Sequence, residues 1–160
     1  MFWNYVKIFF ISMVPLIELR GAIPVSQAWN MPIIQSYIVS ILGNMVPVPI
    51  IYLFARKVLE WGKDKKFIGK ICTFFLDKGT KAGNQLEAKA GHGLFIALAL
   101  FVGIPLPGTG AWTGTLAASL LDMDFKQTTL AVMVGVLIAG IIMMLASMGI
   151  FGAAGALITK

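Results

Sequence analysis

The stretch Ile8-Phe9-Phe10-Ile11-Ser12-Met13-Val14-Pro15-Leu16-Ile17-Glu18-Leu19-Arg20-Gly21 decides the fold. Its apolar part, Ile8–Ile17, is too short to cross a bilayer, which takes about 20 apolar residues in helix. It stops at a glutamate and an arginine. A second short run, Ala22–Trp29, follows before Asn30-Met31-Pro32 breaks the chain again. Two half-length apolar runs around a charged break predict a hairpin that enters the membrane and leaves on the same side. Ile33–Ala55 is then long enough to span, with Pro47 and Pro49 as expected kinks.

Composition supports lipid as the solvent. Of 160 residues 58% are hydrophobic and 12% charged, with a mean hydropathy of +0.86, whereas a soluble domain carries about 25% charge. A single cysteine, Cys72, excludes an internal disulfide, and a single histidine, His92, excludes a His-cluster metal site. The N-terminus does not read as a signal peptide: only Lys7 precedes the first apolar run, and Pro15, Glu18 and Arg20 interrupt it.

The net charge of +6 does not point to nucleic acid. Nine of the thirteen basic residues lie between Arg56 and His92, and the positive-inside rule places such a segment in the cytoplasm. Within it Phe67, Ile68, Ile71, Cys72, Phe75 and Leu76 recur at helical spacing, flanked by Lys65, Lys66 and Lys70, with Trp61 at the start. That pattern predicts an amphipathic helix on the inner leaflet.

The first layout then returns. Gly93–Leu106 is a short apolar run ending at Pro105-Leu106-Pro107-Gly108-Thr109-Gly110. Thr115–Leu121 follows, then Asp122-Met123-Asp124, then the span Thr128–Met148 and a Gly- and Ala-rich tail. A shift of 92 residues aligns Phe9 with Phe101, Pro15 with Pro107, Met31 with Met123, Gln35 with Gln127 and Gly43 with Gly135. Asn30 falls on Asp122. With 56–92 cytoplasmic, the first hairpin opens outward and the second inward. The expected architecture is therefore an all-α integral membrane protein built as an inverted repeat of re-entrant hairpin plus transmembrane helix. It comprises repeat one (6–55), an interfacial linker (56–92), repeat two (93–150) and a tail (151–160).

Irregular backbone survives inside a membrane only when buried in protein or lining a wet cavity. Two breaks at depth predict one shared polar site. Glu18 and Arg20 are the charged residues of the predicted interior, where each charge costs about 2.5–3.5 kcal/mol to insert. Arg20 is expected to hold an anionic group and Glu18 to carry a proton. Burial disfavours the Glu18 carboxylate, and Arg20 favours it. Gly21, Pro107, Gly108, Thr109, Gly110, Trp112 and Thr113 complete the candidate substrate site. The glycines and prolines permit the turn, the threonines cap freed backbone groups or touch substrate, and Trp112 stacks or packs. Asp122 and Asp124 are expected to cap the exit of the second hairpin, and the nine methionines to pack.

Glu18-Leu19-Arg20-Gly21-Ala22-Ile23-Pro24 and Gly103-Ile104-Pro105-Leu106-Pro107-Gly108-Thr109-Gly110-Ala111-Trp112-Thr113-Gly114 resemble the two signature stretches of the small multidrug export proteins. The layout is also similar to the wider DedA-like membrane proteins, whose two re-entrant hairpins are linked to moving lipid phosphates such as undecaprenyl phosphate. Phe101, Pro107-Gly108, Ala117-Ala118 and Met123 match the DedA pattern, but its second-hairpin arginines have no counterpart, the stretch holding Val102, Gly103 and Gly110.

The resemblance implies a multi-pass protein of a bacterial or archaeal plasma membrane. Its implied partners are membrane lipids and a small amphipathic substrate. The leading expectation is a proton-coupled transporter or flippase for an amphipathic anion. Small multidrug efflux and a non-transporting scaffold or assembly factor are the alternatives. A homodimer would help enclose the cavity of so short a chain. No nucleophile–base pair, phosphate loop or metal-ligand cluster is present, so neither an enzyme nor a cofactor is expected. The topology predicts that cysteines placed at Lys65 and Lys81 react only with reagents supplied from the cytoplasmic side. Labelling from outside would reverse the assignment.

Overall fold

The computed structural model describes residues 2–90, 93–106 and 108–158, and among them every regular element is a helix. Pro107, expected at the second turn, lies outside the described residues, as does His92. Helix α1 runs Phe2–Met13 and α2 Glu18–Ala28. The first long segment is α3 (Ile33–Met45), α4 (Pro47–Ile50) and a π-helical turn (Ile51–Ala55), continuing into α5 (Arg56–Gly62). Then follow α6 (Gly69–Ala90), α7 (Leu94–Gly103), α8 (Ala111–Leu120) and α9 (Phe125–Ile158).

Two segments are long and apolar enough to cross a membrane, Ile33–Ala55 and Phe125–Gly149. Only about a third of each is buried inside the protein. On the first, Ile34, Ile38, Leu42, Val46 and Ile50 form an exposed stripe at four-residue intervals, a surface suited to lipid and not to water. By contrast α1, α2, α7 and α8 are 12, 11, 10 and 10 residues long. At 1.5 Å per residue each reaches only about 15–18 Å, roughly half a bilayer core.

The breaks lie slightly earlier in the chain than the sequence suggests. Glu18, Arg20 and Gly21, expected within the first break, stand in the first turn of α2, and the break itself is 14–17. Pro15 explains the shift, because a proline disfavours helical backbone at the residue before it and cannot donate within the helix. Likewise Trp112 and Thr113, expected in the second break, open α8. The linker, expected to lie on the membrane surface, is more engaged than that. Helix α6 packs along α8 and also touches α7 and α5. Among its described residues Gly69, Cys72, Gly79, Ala82 and Gly83 are buried, while Ile71 and Phe74, and Phe67 just before the helix, are exposed. The Gly- and Ala-rich tail prolongs α9 to Ile158.

Both half-length pairs end in the same way. Asn30 and Asp122 are in left-handed backbone, φ 51° and 52°. Met31 N donates to Ser26 O at 3.0 Å and Asn30 N to Gln27 O at 2.9 Å. Met123 N donates to Ala118 O at 3.0 Å and Asp122 N to Ser119 O at 3.3 Å. Each is a Schellman cap, and every donor and acceptor of one lies 92 residues from its counterpart in the other. Both Met31 and Met123, the residues that follow the turn, are buried. Asp124 Oδ2 accepts from Gln127 N at 3.1 Å and caps α9, as expected.

Helix α1 packs on α3, and α7 packs on α9. A glycine permits each approach. At Gly43 a Cβ would collide with Ser12 Oγ and Phe9 O, and at Gly135 it would come within 2.6 Å of Val102 Cβ and 2.7 Å of Ala99 O. These glycines too are 92 residues apart. Helix α2 packs on α3 and on α9, and α8 on α9 and on the π-helical turn, so each second half-helix touches both long segments. We expect Gly135→Val to lose about 1–3 kcal/mol by overpacking, read as a lower unfolding midpoint in detergent. Gly149→Val, where a Cβ would meet nothing within 4 Å, should leave that midpoint nearly unchanged.

Candidate functional site

A helix ends with unsatisfied N–H groups at its start and C=O groups at its end. The second break, between α7 and α8, exposes both kinds within a few residues. The first hairpin supplies the partners. Glu18, only 3% exposed, accepts from Trp112 N at 3.0 Å through Oε1 and from Ala111 N at 3.2 Å through Oε2. Its carboxylate therefore caps the N-terminus of α8 from 93 residues away in sequence. Arg20 caps the other side of the gap. Its Nη1 donates to Leu106 O at 2.6 Å, and Nη2 lies 2.8 Å from Thr109 Oγ1, 3.2 Å from Val102 O and 3.3 Å from Ile104 O. An anion at a helix start and a cation at a helix end both match the helix dipole.

The capping is reciprocal. Trp112 Nε1 donates to Met13 O at 3.0 Å, the last carbonyl of α1. Trp112 is 92 residues after Arg20, and each of the two reaches the end of the first half-length helix of the other pair. Glu18 and Gly110 are likewise 92 residues apart and touch each other. A Cβ on Gly110 would fall 2.8 Å from Glu18 Cδ and closer still to Oε2, and Gly110 has φ 127°. Glycine is thus required there on two counts, left-handed backbone and the seat of the carboxylate. Leu16 and Glu18 also have positive φ, 73° and 51°. Two such non-glycine residues, one in the break and one opening α2, store strain where the two helix pairs meet.

The structure brings together Glu18, Arg20, Thr109, Gly110 and Trp112. Thr109 Oγ1 lies within 2.9 Å of Leu106 O and 3.0 Å of Ile104 O, closing the turn that Arg20 also holds. Gly108, at φ 87°, forms the outer bend. Gly21 faces its own turn, where a Cβ would meet the Ile17 side chain. Thr113 lies on the far side of Trp112 from the turn. Two recesses flank the junction. One, of about 280 Å³, is walled by Leu16, Glu18, Arg20, Leu106, Gly108 and Thr109. The other, of about 300 Å³, holds Leu16, Trp112 and Thr113 together with Lys78. Leu16 borders both.

Arg20 is less available to a ligand than its sequence position suggests. Its terminal nitrogens are committed to backbone carbonyls and Thr109, while buried Nε has no partner among the described residues. Lys78, a residue of the linker, comes up to the second break, where a Cβ on Gly108 would lie 3.9 Å from its Nζ. A signal for it exists in the chain: Ile71, Phe75, Lys78 and Gly79 follow helical spacing, which puts one basic residue on an apolar face.

Two membrane-length apolar segments and a charged junction between broken helices are the make-up of a helical membrane protein. Residues 18–142 match the family described as Putative small multi-drug export protein, and the chain belongs to that family. The match begins at Glu18 and includes Arg20, Thr109, Gly110 and Trp112. Family and apolar helices agree on a membrane location. No curated protein and no solved structure matches the chain.

Because Gly110 seats the Glu18 carboxylate, Gly110→Ala should destabilise the fold more than Trp112→Phe. The latter removes one indole hydrogen bond, worth about 1 kcal/mol. Unfolding midpoints of the two variants in one detergent give the comparison.

Proposed function

We propose that the protein is a proton-coupled transporter of small amphipathic anions, in which Glu18 is both the proton site and the latch between two re-entrant hairpins. The observation that carries this reading is the buried Glu18 carboxylate holding Ala111 N and Trp112 N. An ionised carboxylate accepts through both oxygens. Once protonated, one oxygen bears a hydrogen and faces an N–H donor, so the cap on α8 weakens. Proton binding would thereby loosen the contact that joins the two breaks. An arriving anion acts on the same balance, because it neutralises the cations that favour the carboxylate.

The half-bilayer length of α1, α2, α7 and α8 supports the re-entrant reading. The matched caps, glycines and cross-repeat contacts at the 92-residue shift support the repeat. The second hairpin lacks the arginines of the DedA pattern, but Arg20 and Lys78 bring positive charge to the same turn from outside it. The cluster of basic residues in 56–92 supports a cytoplasmic linker, and with it opposite orientation of the hairpins. The description of the family favours export of small amphiphiles over movement of large two-chain lipids. A homodimer would cover part of the exposed apolar stripe on α3.

One observation favours a second reading, a scaffold without transport. Both Glu18 oxygens and both terminal nitrogens of Arg20 are engaged in capping, which is what a purely structural pair would do.

Proteoliposomes carrying a fluorescent single-chain alkyl phosphate, with a pH difference imposed across the membrane, separate the two. Glu18→Gln keeps the shape but not the charge, and should abolish the pH dependence of transport while leaving probe binding. Arg20→Lys keeps the charge but loses the fork, and should slow transport through a looser junction. Folded variants that both transport at the wild-type rate with unchanged pH dependence would favour the scaffold.

A further inference from the structure

We propose that the recess between the first break, the π-helical turn, α6 and α8 is a binding site for a single-chain amphipathic anion, with Lys78 as its headgroup anchor. The proposal rests on the transport reading, and it locates the cargo beside the Glu18 latch, outside the capped junction itself.

The lining is apolar: Ile51, Val58, Ile71, Phe75 and Leu116 wall the recess, and Lys78 brings the charge. A volume of about 300 Å³ stands at the small end of ligand pockets. It suits one alkyl chain or a small ring system and is too small for both tails of a diacyl lipid. The recess is half-open, and its walls belong to segments that the sequence places at the cytoplasmic end of the first span, so an amphiphile in the inner leaflet could enter sideways.

The charge selects the headgroup. Lys78 forms no ion pair among the described residues, and its ammonium lies 5.8 Å from the centre of the Phe74 ring. A Cβ on Gly108 would lie 3.6 Å from Lys78 Cε and 3.9 Å from Nζ, so the ammonium sits against the bend of the second break. This placement matters because Gly108 stands two residues from Gly110, against which the Glu18 carboxylate is seated. An anion paired with Lys78 takes away part of the field that favours the Glu18 carboxylate, and the recess is thereby coupled to the latch. A quaternary ammonium in the same place would meet a like charge in an apolar wall, which is strongly disfavoured.

The test is photo-crosslinking in proteoliposomes at one pH on both sides. The probe is a diazirine-bearing single-chain alkyl phosphate. The alcohol and the quaternary ammonium of the same chain serve as charge controls, and a diazirine-bearing phosphatidic acid serves as the bilayer-lipid arm. The alkyl phosphate should label the peptides carrying Ile71–Gly79 and Trp112–Leu116 roughly tenfold more than either charge control, as expected for one charge-assisted contact. Phosphatidic acid should not label them above background. Lys78→Gln should reduce labelling to the level of the alcohol, and Lys78→Arg should retain it. Ala55→Phe, which fills the recess without touching a charge, should abolish it.

Equal labelling by the ammonium probe, equal labelling by phosphatidic acid, or unchanged labelling in Lys78→Gln would each overturn the site. Adducts scattered along the exposed face of α3 would do the same. Because the assay involves no transport, it separates the two claims. Labelling that persists while Glu18→Gln transports with normal pH dependence removes the latch and supports the site. Loss of labelling with a functioning latch removes the site alone.

Discussion

Helix ends are tolerable in water because solvent satisfies them. Inside a bilayer each free N–H or C=O costs several kcal/mol, and under the proposed re-entrant reading the four half-length helices of this chain end at depth. The Glu18 and Arg20 side chains answer that cost for the second break, and Trp112 answers part of it for the first. Had each break been capped from within, two independent hairpins could sit anywhere in the membrane. Capping across the repeats instead fixes their separation, their depth and their register. Gly110 must then lack a side chain, and α2 must lie between both long segments, because the carboxylate has to reach α8.

The same constraint places charge where it is otherwise most costly. Removing one member of a buried charged set typically costs 3–5 kcal/mol, since the partner is left without compensation. A charge so deeply committed to structure is also a sensitive control point. Whatever changes the protonation of Glu18, or the field of its neighbours, acts on the only carboxylate seated at the α8 N-terminus among the described residues. In the proposed mechanism the cap on α8 and the proton site are one and the same carboxylate.

Much of this was legible in the chain because the signals are strong and local. Pro15 and Pro105 each follow the end of a half-length helix, and short apolar runs cannot span a bilayer. The 92-residue shift, weak as residue identity, was carried by Asn30 and Asp122 and by Gly43 and Gly135, which the structure shows in matching caps and matching close approaches. Glu18 and Arg20 stood out because charge is rare in such a composition. What stayed hidden depends on distance across the fold. Nothing local says that Glu18 turns toward Ala111 or that Trp112 turns toward Met13. The placement of both signature residues in a helical first turn follows from proline sterics one turn earlier. Lys78 was concealed by its own surroundings, since one lysine among the nine basic residues of 56–92 reads as topology.

The two recesses and the strained break between them complete the physical picture. Leu16 has φ 73° and borders both spaces. A leucine in that conformation has no intrinsic reason to stay there, and its neighbours hold it. On one side Glu18 is pinned to α8, and on the other Trp112 is pinned to the end of α1. In the proposed mechanism, release of the carboxylate would free one of those two restraints, and the strain at Leu16 would then favour movement of the residue that borders both recesses. The capping of α8, the conformation of Leu16 and the division of the interior into two spaces are thus set by a single hydrogen-bonded carboxylate.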